Sequence, residues 1–357
     1  MRTIKLSAWG RVLAFALSGL GVGAGSLSAQ AQAPALPILP DSANVVLVTL
    51  DGFRWQEVFN GANGWLLRRD PARAELRRRY GQPTAAARRR ALLPFLWDSL
   101  GRRGQLLGNR KFKNCHDLTN KRRLSYPGYN ELLTGAADDQ RLRTNDAVPN
   151  PNQTVLEYLN RQPGFAGRVA VFATWDAFPA ILNQPRSGLL IEAGQHGHER
   201  ADSLTYRAAR QYLARNRPRV LYLTFGNTDT YAHKGRYGDY LAAAHAADRY
   251  LAELWAALQA TPQYRGRTTL LVTTDHGRGR GLRWRGHGNG YWSAAHTWLA
   301  MLGPGIPADG EVRTPARYPQ TRVAGLMAGA LGRQFPVRPA PTVLPAAGVA
   351  AAATTGQ

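Results

Sequence analysis

The sequence predicts an α/β fold, a three-layer sandwich whose central sheet is mostly parallel and flanked by helices. Two observations predict it. Five runs of strand length, at residues 44–50, 168–174, 219–225, 268–274 and 297–302, are apolar almost without interruption, the pattern of strands covered on both faces. Between them lie longer segments with helical periodicity, so strands alternate with helices as crossover units require.

Taken in order, residues 1–33 read as a signal peptide. Arg2 and Lys5 precede an apolar run at 12–22, and small residues lead to Ala31 and Ala33. This is a basic region, an apolar core and an A-x-A cleavage site, and the run falls short of the ~20 residues a span needs. An uncleaved anchor is the competing reading. No later stretch is long and apolar enough to cross a bilayer, so a periplasmic or secreted protein is expected. Residues 34–42 form a Pro-containing linker. Residues 43–336 are expected to form one domain, and the Ala/Pro/Thr-rich tail 337–357 is expected to be disordered.

Helical periodicity marks 93–103, then 152–161 ahead of Pro163-Gly164, then 203–216 before Pro218. It marks 238–260 and 319–331 as well. At 44% hydrophobic and 19% charged residues, the chain carries enough apolar surface for a sizeable core. The only cysteine is Cys115, so no intrachain disulfide forms, and core packing or bound metal must stabilise an exported chain. The net charge is +23, and residues 68–90 hold nine arginines against Asp70 and Glu75. Such a block could attract nucleic acid or another anion. It lacks interleaved aromatics, and the reading preferred is an arginine-rich solvated helix.

In open α/β sheets ligands bind beyond the C-terminal strand ends, and acids and histidines gather there. The run 44–50 leads into Asp51-Gly52, 219–225 into Asp229 and His233, and 268–274 into Asp275-His276. His287 lies in a Gly/Trp-rich loop before the last strand. Singly, these residues read as a turn, a surface pair and a helix cap. Together, carboxylates and imidazoles converging on one edge suit two divalent ions. Zinc fits this donor mix best, with manganese or iron as alternatives.

Ser125 begins a segment that reads as a turn feeding a short helix closed by Gly135. A serine there either caps the helix or, beside a metal, becomes an activated nucleophile. The backbone N–H groups and dipole at the same helix end favour an anion. Arg54 either neutralises charge in the site or serves as a structural ion-pair partner. His245, inside an Ala-rich helix, reads as structural, and His196 and His198 sit unassigned in a polar loop.

Five ordered segments now carry a resemblance to the type I phosphodiesterase/nucleotide pyrophosphatase family of the alkaline phosphatase superfamily. Leu50-Asp51-Gly52-Phe53-Arg54 resembles its first metal motif, and Ser125 to Gly135 its nucleophile segment, with Ser in place of Thr. Asp229-x-x-x-His233, Thr274-Asp275-His276-Gly277, and His287-Gly288 followed by Gly303-Pro304 resemble its later motifs.

The resemblance implies an alkaline-phosphatase-like fold and a metal-dependent phosphoric ester hydrolase acting on a small phosphate ester or nucleotide. It implies a phosphoseryl intermediate on Ser125 and two metal ions. Asp229, His233 and His287 would hold one ion, and Asp51, Asp275 and His276 the other. His296, followed by Thr297, is the alternative last ligand, since it resembles the His-Thr of alkaline phosphatases. The family's Asn after Pro is Gly128 here, with Asn130 close by as a substrate-binding candidate.

A phosphomonoesterase is a rival within the superfamily. A formylglycine-type sulfatase needs an Arg that the segment 125–129 lacks. A non-catalytic, metal-stabilised binding protein is the rival from another class, and a basic nucleic-acid binder a further one.

Overall fold

The strands in chain order are β1 (Asn44–Leu50), β2 (Gln105–Leu107), β3 (Asn114–Asp117), β4 (Val169–Ala173), β5 (Leu190–Glu192) and β6 (Val220–Phe225). They continue as β7 (Thr268–Thr273), β8 (His296–Thr297), β9 (Leu299–Leu302), β10 (Gly310–Glu311) and β11 (Ala316–Pro319). This is a computed structural model that describes residues 42–195 and 199–337. The signal peptide expected at 1–33, the linker apart from Ser42, His196 and His198, and the tail beyond Val337 lie outside the described residues.

Eight strands form the main sheet in the order β10-β2-β9-β7-β1-β6-β4-β5. The neighbours β7, β1, β6, β4 and β5 run parallel, and β9 alone runs antiparallel to both of its neighbours. The expected α/β sandwich is therefore the observed one. All seven residues of β1 are buried. Val46, Val48 and Leu50 join one apolar cluster, and Val45 and Leu47 join another. A period of two puts successive side chains on opposite faces, so a strand covered on both sides is apolar on both, with Asn44 and Thr49 the polar exceptions here. The helices Asp202–Asn216 and Tyr237–Ala260 cover the first face. The helices Ser125–Thr134, Val155–Asn160 and Arg322–Gly329 cover the second.

Two local expectations need correction. The run 297–302 is not one strand. It divides at Trp298, whose buried indole donates to the Phe53 carbonyl at 2.8 Å. β8 then pairs with β3 in a separate three-stranded sheet, while β9 enters the main one. The arginine block is not one solvated helix either. It folds as Arg73–Tyr80 and Ala85–Leu92, with Thr84 capping the second through Ala87 N–H. Arg89 is drawn inward, its guanidinium 3.5 Å from the Trp97 ring centre and 3.0 Å from Glu311. Among the described residues no helix is long and apolar enough to cross a membrane.

Candidate active site

The strands β7, β1 and β6 lie side by side at the middle of the sheet and end at one edge, with Thr49 opposite Thr273 and Leu50 opposite Phe225. Three neighbouring parallel strands thus deliver three acids to one place. Asp51 follows β1, Asp275 and His276 follow β7, and the helix Asn227–His233 after β6 carries Asp229 and His233 four residues apart on one face. Cross-links fix these turns. Thr228 Oγ donates to the Asp51 carbonyl at 2.6 Å, and Gly52 N–H donates to Asp275 Oδ1 at 3.0 Å.

The side chains converge. His276 Nε2 stands 3.4 Å from Asp51 Oδ1 and 3.4 Å from Asp275 Oδ2. His233 Nε2 stands 3.1 Å from Asp229 Oδ2 and 3.0 Å from His287 Nε2. Donors around a tetrahedral ion with bonds of about 2.0–2.1 Å are separated by about 3.3 Å, which these spacings match. Asp51 with Asp275 and His276, and Asp229 with His276 and His287, are two sets whose donor atoms lie within 4.8 Å of one another. The ring of His276 stacks on that of His287 at 3.9 Å, so the two sets adjoin.

The residues present fit a pair of cations. Asp51 Oδ1 and Asp275 Oδ2 are buried and lack hydrogen-bond partners. Burial, together with Asp275 and Asp229, holds the Asp51 carboxyl well above its usual range. Burial pushes Asp275 up to about 8, with Asp229 adding to the effect. Two buried, underbonded carboxylates side by side are costly without positive charge.

The imidazoles are prepared as ligands. The Nδ1 atoms of His276 and His287 donate to the carbonyls of Gly277 and Arg123, at 2.8 and 3.1 Å, which leaves each Nε2 lone pair facing the site. Burial lowers His287 to about 4 and, with the charges of His287 and Arg278, holds His276 well below its usual range. Both rings are therefore neutral at pH 7.

Ser125 is the first residue of a ten-residue helix that is buried along its whole length. It does not cap that helix. The capping position is Leu124, which makes no side-chain cap bond, and Ser125 Oγ instead lies 3.1 Å from His276 Nε2. The helix end offers an anion less than a bare terminus would, because Pro127 has no N–H and Tyr126 N–H donates to Asn145 Oδ1 at 3.0 Å.

Gly128 sets the position of this helix. A Cβ there would stand 2.5 Å from the Asp275 carbonyl oxygen. This close approach leaves no room for a side chain at position 128. Gly128→Ala is expected to push the helix off the strand edge and lower kcat by about 10²-fold, with the far-ultraviolet circular dichroism unchanged. Activity equal to the parent would show that the close packing does not position Ser125.

Of the two roles read for Arg54, the geometry favours the structural one: its guanidinium is buried, ion-paired with Glu57 and 3.3 Å from the Gly279 carbonyl. Asn130, read as a substrate-binding candidate, has its side chain engaged within the fold. It donates to the Ala136 carbonyl at 3.1 Å and accepts from Asn150 and Asn152, at 3.2 and 3.1 Å. His296 lies in β8 with its ring 4.4 Å from that of Trp292, outside both donor sets, where His287 takes part. His287→Ala is accordingly expected to weaken zinc uptake by at least about tenfold, while His296→Ala leaves it unchanged. Equilibrium dialysis with elemental analysis decides between the two histidines. His245 is structural, its Nδ1 2.8 Å from the Leu92 carbonyl.

Sequence reasoning also missed supporting residues. Tyr129 Oη donates to Asp51 Oδ2 at 3.0 Å. Its spacing of four from Ser125 was a usable signal, since it returns to the same helix face. Gln320 donates to the carbonyls of Asp275 and Gly128, at 2.9 and 3.3 Å, and ties the two site segments together. Arg278, buried against Asp229, had no signal at all in a chain with 46 lysines and arginines.

Residues 122–286 match the family described as type I phosphodiesterase/nucleotide pyrophosphatase. The match spans Ser125, Asp229, His233, Asp275 and His276, and stops short of Asp51 and His287. No curated protein matches the chain. Many solved structures share the fold. The lipoteichoic acid synthase LtaP of Listeria monocytogenes is 12% identical at a TM-score of 0.54, over 82% of this chain and 72% of that one. Murine ectonucleotide pyrophosphatase/phosphodiesterase 5 is 13% identical at 0.52, over 82% and 96%. The phosphonate monoester hydrolase of Agrobacterium radiobacter is 14% identical at 0.53, over 81% and 74%. These likenesses show an alkaline-phosphatase-like fold.

Proposed function

From the premise that this chain resembles the type I phosphodiesterase/nucleotide pyrophosphatase family within the alkaline phosphatase superfamily, we propose that it is a phosphoester hydrolase with Ser125 as nucleophile. The observation that carries the reading is the position of Ser125 Oγ. It lies 3.1 Å from His276 Nε2, which itself lies 3.4 Å from both Asp51 and Asp275. Two divalent cations, zinc by the chemistry of the donors, would be held by Asp51, Asp275 and His276 and by Asp229, His233 and His287. When bound they would supply Lewis-acid charge that lowers the hydroxyl pKa and offsets charge on the phosphoryl oxygens.

The chain's own residues do the rest. Ser125 Oγ forms a bond to phosphorus as the ester oxygen departs in line and takes up a proton. Water then displaces Ser125 from the phosphoseryl intermediate and regenerates the hydroxyl. Tyr129 and Thr228 hold Asp51 in place, Gly52 N–H orients Asp275, and Gln320 locks the nucleophile helix to β7. Catalysis here is largely positioning and electrostatics, as in phosphoryl transfer generally. The substrate is a small phosphate ester or nucleotide, and the export read from residues 1–33 belongs to the same proposal.

A panel of phosphate mono- and diesters, assayed on metal-reconstituted enzyme, tests this reading. A preference for diesters of at least about tenfold is expected, a difference of about 1.4 kcal/mol in transition-state stabilisation. A reversed preference assigns the chain as a phosphomonoesterase. Hydrolysis of none of them would remove the enzymatic reading and leave a metal-stabilised binding protein.

A further inference from the structure

Arg278 directly follows Asp275-His276-Gly277, and its side chain is inaccessible to solvent. Its guanidinium is held on three sides. Nε donates to the Trp284 carbonyl at 3.1 Å, one terminal nitrogen donates to the Arg285 carbonyl, and the other meets Asp229 Oδ1. Both carbonyls belong to the segment just ahead of His287, so the loop that supplies a candidate ligand also clamps this cation.

The position of the guanidinium is central. A Cβ on Gly52 would stand 2.6 Å from Arg278 Nη1, 2.8 Å from Asp229 Oδ1 and 3.2 Å from His276 Cε1. Nη1 therefore lies where the Asp51-Gly52 turn, Asp229 and His276 meet, beside the histidine that both donor sets share. The absence of a side chain at Gly52 makes room for it.

Charge then distinguishes the two sets. Among the described residues no Lys or Arg is ion-paired with Asp51 or Asp275, and each leaves a buried oxygen underbonded. Asp229 is already paired with Arg278. Asp51, Asp229 and Asp275, with Glu199 near enough to act on Asp51 and Asp229, outnumber the one guanidinium, and a first divalent ion offsets most of that excess. A second divalent ion would make the cluster positive until a serine alkoxide or a phosphoryl group arrives.

We propose that Arg278 is a resident cation of the centre, competing for Asp229, so that its two metal positions are unequal. The ion at Asp51, Asp275 and His276 binds first and tightly. The ion at Asp229, His233 and His287 binds weakly until an oxyanion offsets its charge. Metal loading and substrate binding are thereby coupled. The proposal rests on the two-cation reading of the site.

Calorimetric titration of the metal-free protein with zinc tests it without any assay of turnover. The parent protein should show one tight ion and a second at least about tenfold weaker, with inorganic phosphate narrowing the gap. Arg278→Met should bring the two affinities together without phosphate, and Arg278→Lys, which keeps a charge, should restore part of the difference. Two ions of equal affinity in the parent would overturn the role of Arg278 while leaving the two-cation reading intact. So would a gap that survives in a folded Arg278→Met. No bound zinc at all would sink the two-cation reading and this inference with it. If Arg278→Met fails to fold, Arg278→Lys carries the test: a gap narrower than in the parent is expected, and an unchanged gap would overturn the role of Arg278.

Discussion

Ser125→Ala is expected to lower kcat on the preferred phosphate ester by about 10⁴-fold or more, with zinc content unchanged. The size follows from the mechanism, since among the described residues Ser125 supplies the hydroxyl bonded to the His276 ring, and the covalent intermediate forms on it. Ser125 Oγ meets His276 Nε2 at 3.1 Å, and the helix it begins is capped without its side chain. Removing the hydroxyl therefore breaks no helix cap, and the cost in stability should stay within about 1 kcal/mol. Thermal unfolding and elemental analysis, run beside the kinetics, separate loss of chemistry from loss of fold. A variant that binds zinc and turns over at the parental rate would remove Ser125 from the mechanism.

The second large effect concerns metal removal. Asp275 has a folded pKa of about 8 and Asp51 one well above the usual range, both raised first by burial. The metal-free native state therefore holds protons that the unfolded chain has lost. Its stability is greatest below about pH 4 as far as these groups are concerned, and falls as pH rises toward about 8, by several kcal/mol in order of magnitude. Bound zinc replaces those protons and should abolish most of the slope. Urea unfolding at pH 5 and pH 8, with zinc and after chelation, measures both limbs. Comparison with Asp275→Asn cancels the opposing contribution of the depressed histidines, and a chelated parent with the same pH 5 to pH 8 difference as that variant would show that Asp275 does not carry the slope.

The legible part of this protein was its sheet centre. Residues 44–50, 219–225 and 268–274 announce themselves because strands buried on both faces are built almost wholly from apolar residues and threonine, and the acids after them stand out for the same reason. The short strands were not legible. β2, β5 and β10 span two or three residues, too few to show a period, and pair only because the sheet edge is already in place. Helix phase explains the error at Asn130. It lies five residues from Ser125, which turns it about 140° away from the site, whereas Tyr129 at four residues returns to it. Arg54 carried its own warning in Glu57, three residues on and one turn away, which takes its charge. The placement of Arg278 depends on the path of residues 279–287, and no local pattern encodes a long loop folding back over one arginine.

Everything proposed for this site turns on two cations meeting in one pocket. Anomalous diffraction at the zinc absorption edge, from crystals grown with zinc and inorganic phosphate in excess, tests that most directly. The prediction is two peaks, one among Asp51, Asp275 and His276 and the other among Asp229, His233 and His287. Zinc found only elsewhere on the chain, or no ordered zinc at these residues, would contradict it.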